Sequence, residues 1–143
     1  MKNKNKILTF LIIFIFIILV YLVYINRTFM VSNNNLIKKI SSNDINNFDI
    51  YINTIYPKET FKISEDDKSN FLNSLKGITV RHTDNIINGV SRNFIVKFNN
   101  ENDISINITN STISINGNTY RIINGSISIF EDIYFKYTGK NFN

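Results

Sequence analysis

The chain holds one histidine and no cysteine, so the chemistry open to it is narrow. His82 stands two residues before Asp84 in the run HTD, which on a strand would place both side chains on one side. An imidazole beside a carboxylate could begin a metal site, but such a site needs one or two further ligands from elsewhere. A lone His on a strand reads first as a polar surface residue. Glu65, Asp66 and Asp67 are of the type that binds cations or moves protons. They also open a helical segment, where the helix dipole favours negative charge, and that structural reason is sufficient. Glu101 and Asp103 flank Asn102 without completing a calcium-loop spacing. Glu131 and Asp132 read as the solvated face of a terminal helix. There is no nucleophile elbow, phosphate-binding glycine loop or Walker pattern. These residues assign no catalytic group, metal ligand or cofactor.

The aromatic residues beyond the N-terminal segment carry a second kind of signal. Tyr51, Tyr56, Tyr120, Tyr134, Phe135 and Tyr137 exceed what so small a domain needs. Tyrosine joins a large contact area to a polar tip and is enriched at interfaces. Filling the core and its rim is the competing use. Tyr134, Phe135 and Tyr137 together make the C-terminal helix the candidate interaction surface.

The elements that would position these residues follow from periodicity. FDIYINTI (48–55) alternates as a strand until Tyr56-Pro57 interrupts it. ETFKI (59–63) reads as a short second strand. Ser64 to Gly77 is the best soluble helix: Ser64 suits the N-cap, Phe71, Leu72 and Leu75 form one apolar stripe, Lys76 lies in the last turn, and Gly77 suits the C-cap. Strand patterns then recur at 78–83, 91–98, 104–109, 112–116 and 119–123, with a turn at 84–89 and a hairpin at Gly117-Asn118. SISIF (126–130) has a strand rhythm. Yet Ser128 with Glu131 three later is a capping-box pattern, which favours a terminal helix from about Ile129 to Tyr137, stopped by Gly139. The expectation is an α+β fold: an antiparallel sheet of about five to seven strands with two helices packed on one face.

One segment decides where this domain resides. Residues 7–25, ILTFLIIFIFIILVYLVYI, contain no charge, Gly or Pro. As a helix they rise about 28 Å, close to the thickness of a bilayer's hydrocarbon core. Tyr21 and Tyr24 sit near the far end, where an amphipathic ring meets the headgroups. The basic tail, residues 1–6, carries Lys2, Lys4 and Lys6 and no acid, which places the N-terminus in the cytoplasm by the positive-inside rule. Arg27, Lys38 and Lys39 on the other side level the tally at three each. The concentration of the lysines beside the α-amino group tips the balance. A cleaved signal peptide would need a shorter apolar run and a small-residue site, and the chain has no Ala at all. An uncleaved signal anchor fits better. A pilin-like subunit would need a Gly before the apolar helix and a Glu within it, and neither is present.

The formal net charge of +5 is mostly a property of this anchor. Lys2, Lys4, Lys6 and Arg27 account for four of the sixteen Lys and Arg, leaving twelve against eleven Asp and Glu. No basic stripe with interleaved aromatics remains, so nucleic acid is excluded as a partner. The abundance of Asn and Ile matches an AT-rich coding sequence and points to a low-GC bacterium. With no Cys, the domain must hold together without disulfides, by its core alone.

The expected organisation is a basic tail (1–6), a transmembrane signal anchor (7–25), a juxtamembrane stalk (26–47) with one helical turn around Leu36–Ile40, and an extracytoplasmic domain (48–143). This layout resembles many small single-pass extracytoplasmic proteins of Gram-positive bacteria, a resemblance of organisation that transfers no residues. The function expected is an accessory module that contacts the bilayer through residues 7–25 and binds an envelope protein or ligand. The alternative is a small membrane-anchored enzyme or metal-dependent module acting on an envelope substrate. A cavity where His82 or a carboxylate converges with other polar groups would mark that alternative.

Overall fold

Alternation of isoleucine and phenylalanine with polar residues builds the domain. In the computed structural model, which describes residues 2–83, 90–99 and 102–140 without the side chains of 2–5 and 25, Phe48, Ile50 and Ile52 face inward from one strand. Phe94 and Val96, then Ile104, Ile106 and Ile108, then Ile113 and Ile115 do so from the next three. All lie on one side of one sheet, as the two-residue period of a strand requires.

The elements run α1 (Lys2–Asn26), β1 (Thr28–Met30), α2 (Asn35–Ser42), β2 (Phe48–Asn53), β3 (Thr60–Lys62), α3 (Glu65–Lys76), β4 (Thr79–His82), β5 (Arg92–Phe98), β6 (Ile104–Ile108), β7 (Thr112–Ile115), β8 (Asn118–Asn124) and α4 (Ser128–Thr138). The eight strands form one sheet in the order β1-β4-β8-β7-β6-β5-β2-β3. Every pairing is antiparallel. The fold is α+β, as the periodicity predicts, with eight strands where five to seven were expected.

The helices bury their apolar stripes against the inward face. α3 contributes Phe71, Leu72 and Leu75, and α4 contributes Phe130, Ile133 and Tyr134. Phe71 packs against Phe94 and Phe130 with ring centroids 4.8 and 5.1 Å apart. α3 starts where its sequence says: the Ser64 hydroxyl accepts the Asp67 N–H at 3.3 Å. α4 does not use the Ser128/Glu131 capping box. The Ser128 N–H is instead accepted by the Ser126 hydroxyl at 3.2 Å, and Glu131 is drawn to Arg92. Gly139 ends α4 in the left-handed conformation.

The hairpin joining β7 and β8 turns at Asn116-Gly117, one residue earlier than predicted, because Ile115 pairs with Asn118. Both turn residues have positive φ, 46° and 86°. A tight hairpin turn of that hand selects Asn-Gly.

The stalk expected over 26–47 does not exist as such. β1 pairs with β4, and Val31, Ile37 and Ile40 are completely buried. Ile37 and Ile40 come from α2, so three helices rather than two belong to the domain. The polar residues that suggested a tether are caps. The Asn34 side chain accepts the Leu36 N–H at 2.9 Å, and Asp44 accepts that of Asn46 at 3.0 Å. The folded domain therefore begins at Thr28, not Phe48.

α1 stands apart from this core. Lys6–Tyr24 is long and apolar enough to cross a membrane, and none of that stretch is buried in the protein. By length and composition it is compatible with a single-pass anchor or a signal sequence.

Candidate functional site

Only Arg27 separates the last residue of α1 from the first of β1. The Arg27 N–H is still hydrogen-bonded to the Tyr24 carbonyl at 3.3 Å, so the chain leaves the helix without a free linker. This brings the end of α1 against the β1–β4 edge of the sheet. A cavity of about 450 Å³ opens there, lined by Tyr24, Arg27, Phe29, Asn33, Lys38, His82 and Tyr120. The Tyr120 ring meets Phe29 edge-on at 5.4 Å and His82 at 5.8 Å. Arg27 comes from the junction, Lys38 from α2 and His82 from the end of β4. No carboxylate lies among the described lining residues, which carry the positive charge of Arg27 and Lys38.

A second cavity, of about 420 Å³, lies toward the opposite edge of the sheet. Thr54, Ile55, Tyr56, Val90, Tyr134 and Lys140 are among its lining residues. Thr54 shapes its wall: the Thr54 N–H bonds the Glu59 carbonyl at 3.0 Å and the Thr54 hydroxyl accepts the Glu59 N–H at 3.1 Å. These bonds tie the two ends of the loop between β2 and β3 together, and Ile55 within it is 73% and Tyr56 86% exposed. Val90 is exposed beside them, and the Lys140 ammonium holds the Tyr56 carbonyl.

The residues singled out in the sequence are distributed as follows. His82 lines the first cavity, while Asp84 lies outside the described residues. Glu65 pairs with Lys68 at 2.8 Å, and Asp66 is exposed. Asp67 is a structural clamp, receiving the Lys136 ammonium at 2.8 Å, the Tyr137 hydroxyl at 2.7 Å and the Ser64 hydroxyl at 2.9 Å. Burial opposes its ionisation, but these three donors outweigh burial and hold the carboxyl below its ordinary value. Glu101 lies outside the described residues, and Asp103 is exposed in its loop. Glu131 binds buried Arg92 at 2.6 Å, while Asp132 is solvated. Among the described residues no three His, Cys, Asp or Glu side chains converge as a metal would require.

The three aromatics of the C-terminal helix divide. Tyr134 is buried against Phe94, with ring centroids 6.3 Å apart. Burial raises the phenol's pKa, and the charge of Arg92 partly offsets that rise. Tyr137 packs at the rim of the core, where its hydroxyl accepts the Ser64 N–H at 2.7 Å and donates to Asp67. Phe135 is the one of the three left exposed. Of the residues flanking the apolar run, the side chains of Lys2 and Lys4 lie outside the described residues, Lys6 is exposed where that run begins, and Arg27 lines the first cavity.

Sequence reasoning missed Lys38, Asn33 and Phe29 as parts of a site, and Ile55 and Val90 as an exposed pair. Among the lining residues, Tyr24 and Arg27 had a signal at the membrane boundary, His82 as the single histidine, and Tyr56, Tyr120 and Tyr134 as surplus aromatics. No protein-family model matches this chain, and no curated protein or solved structure is significantly similar to it.

Proposed function

We propose that this is a single-pass, membrane-anchored binding module of a bacterial cell envelope, with its N-terminus in the cytoplasm and its sheet domain outside. What carries the binding reading is the cavity between the β2–β3 loop and the start of β5. Ile55, Tyr56 and Val90 are exposed together at its rim, while β2, β5 and β6 turn their isoleucines, valines and phenylalanines largely inward. Clustered apolar exposure of this kind on a soluble domain marks a contact surface. Its occupant on this reading is an envelope protein or ligand.

The anchor reading is supported by continuity. α1 feeds β1 across one residue, so a cleavage after the apolar run would cut at the edge of a folded sheet. The cluster of Lys2, Lys4 and Lys6 supports the orientation.

Protease treatment of intact and lysed cells tests the topology: digestion of the domain on intact cells is expected, and protection until lysis would reverse the orientation. A benzophenone amino acid in place of Tyr56 tests the surface. The expected result is a specific crosslinked envelope component that disappears when Ile55→Ser and Val90→Ser are added. Indiscriminate crosslinking that survives those changes would sink the binding reading.

A small membrane-anchored enzyme acting on an envelope substrate is the second reading. It is favoured by one observation, that His82 shares a cavity with Lys38 and Tyr120, groups able to hold or move a proton. That reading expects His82→Gln to abolish turnover while the Tyr56 crosslink persists.

A further inference from the structure

We infer that the cavity between α1 and the β1–β4 edge is a binding site for the phosphate of a membrane lipid headgroup. The inference rests on α1 remaining in the membrane as an anchor, and is separate from the binding surface at Tyr56.

Three observations meet here. The first is height. The stretch able to cross a membrane ends at Tyr24, and Tyr24 is itself a wall of the cavity. Arg27 lies about one helical turn further along. With α1 spanning the bilayer, the cavity opens at the level where phosphates lie, and Tyr24 occupies the position favoured by interfacial aromatics.

The second is charge. Arg27 and Lys38 line one cavity, and among the described residues neither has an ion-pair partner. Where carboxylates are within reach the domain's cations take them, as Lys62 does with Asp49, Lys68 with Glu65, Arg92 with Glu131 and Lys136 with Asp67. Two cations left without carboxylates around one concavity suit an anion supplied from outside the chain.

The third is shape and lining. Asn33 and the Tyr120 phenol add neutral polar groups, while Phe29 adds apolar surface on the β1 side. A headgroup has this same mixture, with an anionic diester next to glycerol and the first methylenes of its chains. Guanidinium and ammonium groups bind phosphate oxygens through charge-assisted hydrogen bonds. Juxtamembrane cations are further favoured by an anionic lipid surface. Arg27 and Lys38 count against the N-in orientation when tallied as topology signals; as headgroup ligands they have a reason to stand there.

Lys39 supplies a built-in control. It is adjacent to Lys38 in sequence, but its ammonium sits over the Phe98 ring, 5.4 Å from the centroid, and it does not line the cavity. Diffuse attraction to an anionic surface would use both lysines alike. A site uses Lys38.

The test uses the full chain extracted from membranes into a neutral detergent. Its intact mass is read first, since loss of α1 would overturn the anchor and the lipid site together. His82 is the single histidine, so its ring protons give one resolved set of NMR signals from the cavity wall. These are followed while adding dioctanoyl phosphatidylglycerol, dioctanoylglycerol or inorganic phosphate. The expected result is a saturable shift with phosphatidylglycerol and none with dioctanoylglycerol. Inorganic phosphate, which nothing retains at the micelle surface, should bind at least about tenfold more weakly. Arg27→Gln and Lys38→Gln should each weaken phosphatidylglycerol binding roughly fivefold, and Lys39→Gln less than about twofold. An intact chain with no response would overturn the site while leaving the anchor standing. Equal affinity for inorganic phosphate would make it a free-anion site instead. A response to dioctanoylglycerol matching that to phosphatidylglycerol, or equal losses from Lys38→Gln and Lys39→Gln, would overturn phosphate recognition.

Discussion

Asp67 shows how an apparent catalytic cluster resolves at the scale of single residues. Three acids in a row at 65–67 have the composition of a site, yet each has a different neighbour. Glu65 pairs with Lys68 and Asp66 faces solvent. Asp67 ties α3 to α4 through Lys136 and Tyr137. Because its folded pKa lies below the unfolded value, its ionised form stabilises the fold fully above the ordinary carboxylate range. That contribution is lost as pH falls through the lowered folded pKa. Asp67→Asn is expected to cost about 1 to 2 kcal/mol at pH 7, a range that allows for the exposure of Lys136. The deficit relative to the parent should shrink in denaturant titrations of the full chain below about pH 4. A deficit that is the same at pH 7 and pH 3 would mean that the charge is not what matters. Arg92 and Lys68 make the same point from the other sign. Both are almost wholly buried, where arginine and lysine are rarely found unless paired. The Lys68 ammonium donates to the carbonyls of Ile45 and Phe48 at 2.8 and 2.7 Å. Those carbonyls lie 23 and 20 residues from Lys68, and Glu131 lies 39 from Arg92, beyond the reach of any local pattern.

Among the elements, those with local determinants were legible. α3 carries its cap, its stripe and its stop within fourteen consecutive residues, 64–77, and it forms there. β2, β5 and β6 alternate long enough to be recognised. β1 has three residues, too few for a period, and it is the one strand absent from the sequence reading; β3 is as short but is legible as ETFKI, set off by Tyr56-Pro57. α2 was read as a turn in a tether because its caps are Asn and its inward residues, Ile37 and Ile40, are only two. A chain beginning at Arg27 should therefore give a folded, soluble domain. One beginning at Phe48 should not, since it lacks Val31, Ile37, Ile40 and the edge strand. Amide NMR dispersion of the two shortened chains would decide. The turns offer a second contrast. Gly117 has φ 86° and open space around an added Cβ, so Gly117→Ala should cost about 1 kcal/mol. At Gly125, φ is 113°, and an added Cβ would lie 3.0 Å from the Ile78 Cα and 3.1 Å from the Gly77 carbonyl oxygen. That clash is with backbone, so Gly125→Ala should cost more than about 2 kcal/mol in the same thermal melts. A smaller loss at Gly125 than at Gly117 would contradict this packing.

For the molecule as a whole, the membrane-length segment was the plainest message in the sequence, and the candidate sites the faintest. The cavity at the end of α1 gathers residues from 24–38, 82 and 120. Only the β1-β4-β8 order of the sheet makes them neighbours, and strand order is not written in periodicity. The exposed rim at Ile55, Tyr56 and Val90 likewise depends on the pairing of β2 with β5. Separating anchor from domain should separate the two sites. Inserting a flexible Gly-Ser segment between Asn26 and Arg27 is expected to leave the domain's melting temperature within about 2 °C and the Tyr56 crosslink unchanged. The His82 response to phosphatidylglycerol should be lost, because Tyr24 no longer meets the sheet. Retention of that response would place the lipid elsewhere on the domain.

The single residue between α1 and β1 also sets the terms on which this protein meets anything else. Eight strands spaced about 4.8 Å apart make a sheet about 34 Å wide, and it has no slack with which to rise, swivel or sample the space beyond. On the proposed reading, with α1 kept in the membrane, its search is two-dimensional, carried by lateral diffusion of the anchor within a layer a few tens of ångströms deep. A partner confined to the same bilayer is concentrated in that layer. A partner without a membrane attachment must find a surface that does not reach out to meet it.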